Sequence, residues 1–345
     1  MKTLFITLLI AFVLSSQPLK PGWVLQHSGV NARLRGISAV TDRVVWASGS
    51  ASTVLRTTDG GTTWQKLFVT EDQLDFRDID ALDANVAYVL SIGNGPASRI
   101  YKTVDGGSTW TLQFQNEDPK AFYDAMTFWD ANHGLVIGDS IDGQFCLLIT
   151  KNGGRDWSRL PEESLPAALP NEGAFAASGS NIAVFGKTHA WIGTGAGAKS
   201  RVLRTADGGR SWSISETPLN ANQSSGIFSV AFRDKKHGVV VGGDYTKESE
   251  GIDNAAVTTD GGANWTLTKG LSGYRSAVAY VPGTQWLVAV GPSGADYSTD
   301  DGRSWVPIAG PGFDTLRFVR GLSGTSSVGF AAGLNGRIGR LSFPK

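Results

Sequence analysis

Residues 57–64 read TTDGGTTW, and the same eight-residue box returns as TVDGGSTW (103–110), TKNGGRDW (150–157), TADGGRSW (205–212), TTDGGANW (258–265) and STDDGRSW (298–305). The box tryptophans Trp64, Trp110, Trp157, Trp212, Trp265 and Trp305 are spaced 46, 47, 55, 53 and 40 residues apart. A four-stranded propeller blade occupies roughly 40 to 50 residues, so six boxes predict six blades. Trp23 stands 41 residues before Trp64 without a box, and about one blade of chain follows Trp305. Those two remnants predict a seventh blade.

Short apolar segments precede each box, such as 53–56, 99–102 and 201–204, and another extended stretch follows each Trp. They read as two strands joined by the box turn. The Asp accepts hydrogen bonds from turn amides, the glycines allow positive φ, and the Trp covers apolar surface between blades. Asn152 keeps an acceptor in the third copy. Two further strands precede each box pair, as in 122–129 and 135–138, or 227–232 and 239–243. One carboxylate per turn, a blade apart, cannot converge on one substrate, so the boxes are expected to be structural. Residues 316–321, 329–333 and 336–341 supply three strands without a box, and the strand beginning at Trp23 is expected to complete that blade and close the ring. The predicted fold is all-β: a single seven-bladed β-propeller domain over 17–345, with four-stranded blades. Outside the leader, only 162–169 suggests a helical turn.

Residues 1–16 carry one Lys, an apolar run from Leu4 to Leu14 and a small-residue exit, the pattern of a secretory signal peptide cut after Ser16. The run is too short for a comfortable membrane span. No cysteine follows it for a lipid anchor, and no second apolar stretch suggests a transmembrane segment in the mature chain. An exported protein is expected, periplasmic or secreted, or lumenal in a photosynthetic host. The 31 basic and 31 acidic residues balance, which disfavours generic nucleic-acid or anionic-membrane binding. Cys146, the only cysteine, reads as a buried strand thiol.

The boxes resemble the Asp box of sialidase-like, or BNR, repeat propellers, and their TxDGGxxW form resembles most closely the photosystem II stability and assembly factor family and its bacterial relatives. The resemblance covers the mature chain. It implies a seven-bladed, non-enzymatic protein of the lumen or periplasm that binds a membrane-protein partner through basic residues on the propeller; for this chain a monomer is expected. Asp boxes also occur in sialidases, xyloglucanases and sorting receptors, so the resemblance is specific for fold rather than for activity.

Aligning the inner strands places Arg35, Arg77, Asp78, Tyr123, Asp124, Glu172, Tyr274, Arg275 and Arg317 near the channel mouth, on the face opposite the boxes. Converging guanidiniums there suit a carboxylate, a phosphate or an acidic peptide; alternatively the same arginines pair with Asp78, Asp124 and Glu172 and stitch the blades. Loops 91–98, 138–144 and 243–254 are expected on that face. In the last, Asp244, Glu248, Glu250 and Asp253 supply oxygens for calcium or form a solvated acidic loop. No cofactor is expected.

The competing reading is a carbohydrate-active enzyme or lectin, since Asp78, Asp124 and Glu172 provide carboxylates for glycoside hydrolysis. Arg35, Arg77 and Arg275 imitate a sialidase triad, with Tyr123 or Tyr274 as nucleophile, but no FRIP-like segment is present. The near-P-loop at 193–200 has Ala198 where the second Gly belongs and precedes a strand. His27, His133, His189 and His237 lie far apart, and His133 and His237 occupy equivalent turns. No dinucleotide fingerprint or haem motif supports an oxidoreductase.

Overall fold

The computed structural model describes residues 21–319 and 327–343; the expected signal peptide lies outside them. The described strands form seven four-stranded antiparallel sheets. In chain order, blades 1 to 6 span residues 34–67, 75–115, 123–159, 182–216, 225–268 and 277–308. Blade 7 combines Thr315–Phe318, Val328–Ala332 and Ile338–Ser342 with Gly22–Gln26. That last strand runs antiparallel to Ile338–Ser342, with Trp23 opposite Leu341, and closes the ring as the sequence requires. Trp23 packs on Phe313 at 4.5 Å between ring centroids, so closure also buries apolar surface.

Each box forms its turn from local chemistry. Asp59 Oδ1 accepts the Thr63 amide at 2.9 Å, Oδ2 accepts the Thr63 hydroxyl at 2.7 Å, and Thr57 Oγ1 donates to Oδ1. Thr57 Oγ1 also accepts the Gly61 amide, whose residue adopts φ 87°; a side chain is disfavoured in that left-handed backbone. The pattern repeats at Asp105, Asp207, Asp260 and Asp300, and Asn152 reproduces it with Asp156. Each box then hydrogen-bonds to the turn between the first two strands of its blade, as Gly60 N does to Arg43 O and Gly261 N to Lys236 O. That fixes the box turns on one face.

The core lies between blades. Trp46 of blade 1 meets Trp110 of blade 2 edge-on at 6.2 Å, and Trp191 of blade 4 stacks on Phe232 of blade 5 at 3.7 Å. Trp191 and Trp129 also donate their indole N–H groups to Gly261 O and His189 O in the following blade. Side chains bridge inner-strand amides across blades: Ser38 Oγ accepts Ala81 N, Asp80 Oδ2 accepts Phe128 N, and Ser229 Oγ accepts Val278 N. Buried backbone donors thereby find partners between sheets. Cys146 is buried, which pushes its thiol up to about 11.

Residues 162–169 contain a short 3-10 turn, Glu162–Ser164. The stretch 138–144 is a continuing hairpin rather than a long loop: its strands run to Ile141 and from Gln144, joined at Asp142 (φ 51°) and Gly143 (φ 83°). Consecutive positive φ values favour this tight turn. Among the described residues no helix is long and apolar enough to cross a membrane.

Candidate binding site at the channel mouth

Four inner strands begin with the same irregularity. Register shifts occur between Leu34 and Gly36, Phe76 and Asp78, Tyr123 and Ala125, and Ile227 and Ser229. The displaced residues are Arg35, Arg77, Asp124 and Phe228. A bulge re-aims its side chain relative to a regular strand, and here all four meet one structure near the channel axis, the lead-in to blade 4.

That lead-in, residues 174–180, contacts each of the other six blades. Arg35 of blade 1 donates to Ala177 O at 3.2 Å, and Arg77 of blade 2 donates to Ala176 O at 2.9 Å. The Ala176 amide lies close enough to the Asp124 carboxyl of blade 3 to favour its charged form. Ser180 Oγ donates to Ser229 Oγ of blade 5 at 2.8 Å. Ser178 Oγ donates to Ser276 O beside blade 6 at 2.7 Å. From blade 7, Thr315 Oγ1 donates to Ser178 O and Arg317 Nη2 to Gly179 O. The segment is thus an internal plug of the propeller's own chain. The 55-residue interval before Trp212 accommodates it.

Beside the plug lies a pocket of about 310 Å³. Arg33, Arg35 and Arg77 line it together with Phe175, Phe228, Tyr245 and Tyr274; Glu248 also lines it. Arg33 grips Asp314 through two bonds of 2.7 and 3.1 Å, and that hydrogen bonding raises its pKa. Burial pulls the Arg35 guanidinium below its usual range, opposed by Asp314 at 3.9 Å. Arg77 pairs with Asp75 at 2.9 Å. The cations and aromatic surfaces are preorganised for a ligand with an anionic and an apolar part.

The other sequence-derived candidates separate. Arg275 is fully buried, paired with Asp296 at 2.6 Å and bonded to Tyr274 O, so its expected place at the mouth is corrected. The nearby Asp296 offsets its desolvation inside the blade. Glu172 is likewise not in the pocket: it is 1% exposed and gripped by Arg201 through Nε and Nη2. Tyr123 is buried, edge-on to Phe114 at 5.6 Å, and does not line the pocket. Asp78 and Asp124 are 3% and 2% exposed beneath the plug. Burial pushes Asp78 up to about 7, against the pull of Arg317 and the Met126 amide. Burial, reinforced by Asp139, raises Asp124 well above ordinary carboxyl values. Arg317 reaches the plug but does not line the pocket.

Arg33, Phe175, Phe228 and Tyr245 were missed. Their signal in the sequence lay in the Arg33/Arg35 alternation, the inner strand at 227–232, the loop 243–254 expected on this face and the longer blade-4 interval; long-range packing brought them together. The near-P-loop precedes a strand, Arg201–Thr205. His133 and His237 bond to the Asp130 and Asp234 carboxylates of their turns. Among the described residues no group of three or more His, Cys, Asp or Glu is placed to hold a metal.

The ring resembles solved propellers. A structure of YCF48 bound to a D1 peptide matches with TM-score 0.65 and 18% identity over 96% of this chain and 99% of that chain. The likeness is one of fold. YCF48 from Cyanidioschyzon merolae matches at TM-score 0.64 and 16% identity, covering 93% of this chain and 99% of that one. The GH74 xyloglucanase from Xanthomonas campestris matches at 0.62 and 14%, covering 93% of this chain and 53% of that chain. No protein-family model matches, and a search of curated proteins finds no match.

Proposed function

We propose that this propeller is an exported, non-catalytic binding protein that holds an acidic or carboxylate-bearing peptide of a protein partner, in the manner of an assembly or stability factor. The observation that carries this reading is the pocket beside the plug, where Arg33, Arg35 and Arg77 adjoin Phe175, Phe228, Tyr245 and Tyr274. The sequence resemblance to photosystem II assembly factors supports it. So does the fold likeness to a propeller solved with a bound peptide. Buried Asp78 and Asp124, covered by the plug, do not present two carboxylates to an incoming glycosidic bond.

The test is capture of partners from the native envelope on immobilised wild type and on Arg35→Ala and Arg77→Ala variants, with abundance-matched controls. Specific, salt-sensitive capture lost in the variants supports the proposal. Equal capture by all three proteins counts against it. Turnover of glycosides that depends on Asp78, Asp124 or Glu172 replaces it with the enzyme reading left open by the GH74-like fold.

A further inference from the structure

We infer that the pocket selects an aromatic side chain adjoining a carboxylate, with Tyr245 and the stacked Phe175–Phe228 pair setting that preference; the inference rests on the peptide-binding reading above. Phe175 and Phe228 lie face to face, 3.9 Å apart with a 10° interplanar angle. Tyr274 stands edge-on to Phe228 at 4.7 Å, and Tyr245 edge-on to both phenylalanines at 6.4 and 6.2 Å. Such a cluster favours another aromatic ring through offset and edge-to-face contacts. Tyr245 is 49% exposed, whereas Phe228 and Tyr274 are buried. It is the wall's exposed member.

Its position is restrained. Tyr245 N donates to Ser224 O, while Glu248 O in the same loop accepts Tyr274 N and the Ser293 hydroxyl. A pre-positioned ring loses less freedom when a ligand docks. Across the pocket, Arg35 commits one donor to the plug carbonyl of Ala177, and its five-donor fork retains capacity for a carboxylate. A volume of about 310 Å³ is at the small end for ligand pockets, suited to one side chain and its flanking carboxylate.

The direct test measures binding of acetyl-Gly-Ser-Gly-Phe with a free C-terminus, its Ala-terminated counterpart, the Phe amide, and an amide carrying Asp before Phe. The Phe acid is expected to bind about tenfold more tightly than the Ala acid. Tyr245→Ala should bring the Phe acid close to the Ala acid, while Tyr245→Phe retains the preference. The Phe amide should lose affinity. Recovery with the Asp-containing amide assigns the anionic contact to a side-chain carboxylate; continued weakness assigns it to a chain terminus. Equal affinity for Phe and Ala acids, or a preference that survives Tyr245→Ala, overturns the aromatic assignment. If both acids still weaken in Arg35→Ala, the broader peptide-binding reading stands. Failure of all four probes to bind overturns the aromatic assignment, while salt-sensitive partner capture separately decides the broader reading.

Discussion

Arg35 and Arg275 both lie near the beginnings of inner strands, yet packing gives them opposite tasks. Arg275 is enclosed with Asp296, a geometry in which losing either partner strands a buried charge. Arg35 instead reaches the plug and lines the pocket. Residue type showed the capacity for ion pairing or ligand binding; burial separated the two. Asp78 gives a titration test of this packing. Its carboxyl rises from 3.8 to about 7 in the fold because burial outweighs Arg317 and its amide donors. Protonation therefore favours the native state: the contribution is full below about pH 4 and is lost as pH rises towards about 7, with a limiting slope of about 1.4 kcal/mol per pH unit. Across about pH 5 to 8, the melting temperature of wild type relative to Asp78→Asn should fall with rising pH, then level off. A pH-independent difference contradicts this account of the buried carboxyl.

At the level of elements, the box turns were legible because their chemistry is local. Thr, Asp and the second Gly within one octapeptide make the bonds that define the turn. The closing strand was also legible, since three C-terminal strands required a partner and the stretch at Trp23 supplied one. The plug was hidden because its bonds reach groups more than 90 residues away, including the side chains of Arg77 and Thr315 and the backbone carbonyl of Ser276. The inner-strand bulges, likewise, are differences of register that a single sequence does not display. Gly179 tests the plug: it has φ 67°, and an added Cβ would lie 2.0 Å from Asp78 Oδ1. Gly179→Ala should therefore destabilise the propeller by about 2 kcal/mol or more and weaken acidic-peptide binding. An unchanged denaturation midpoint and unchanged peptide affinity would show that this segment does not organise the mouth.

Across the whole molecule, seven blades hold two faces apart. Box turns rigidify one, while bulged inner strands and the plug build the arginine–aromatic pocket on the other. The formal charge of zero places the proposed recognition in this local arrangement rather than in a general attraction to polyanions. Hydrogen exchange of the free protein and the same protein saturated with acetyl-Gly-Ser-Gly-Phe bearing a free C-terminus would test the central claim most directly. Binding at the mouth should protect amides in residues 33–36, 174–180 and 243–250 while leaving the boxes at 57–64 and 205–212 unchanged. Protection confined to those box turns, with none around the plug, would contradict the assignment.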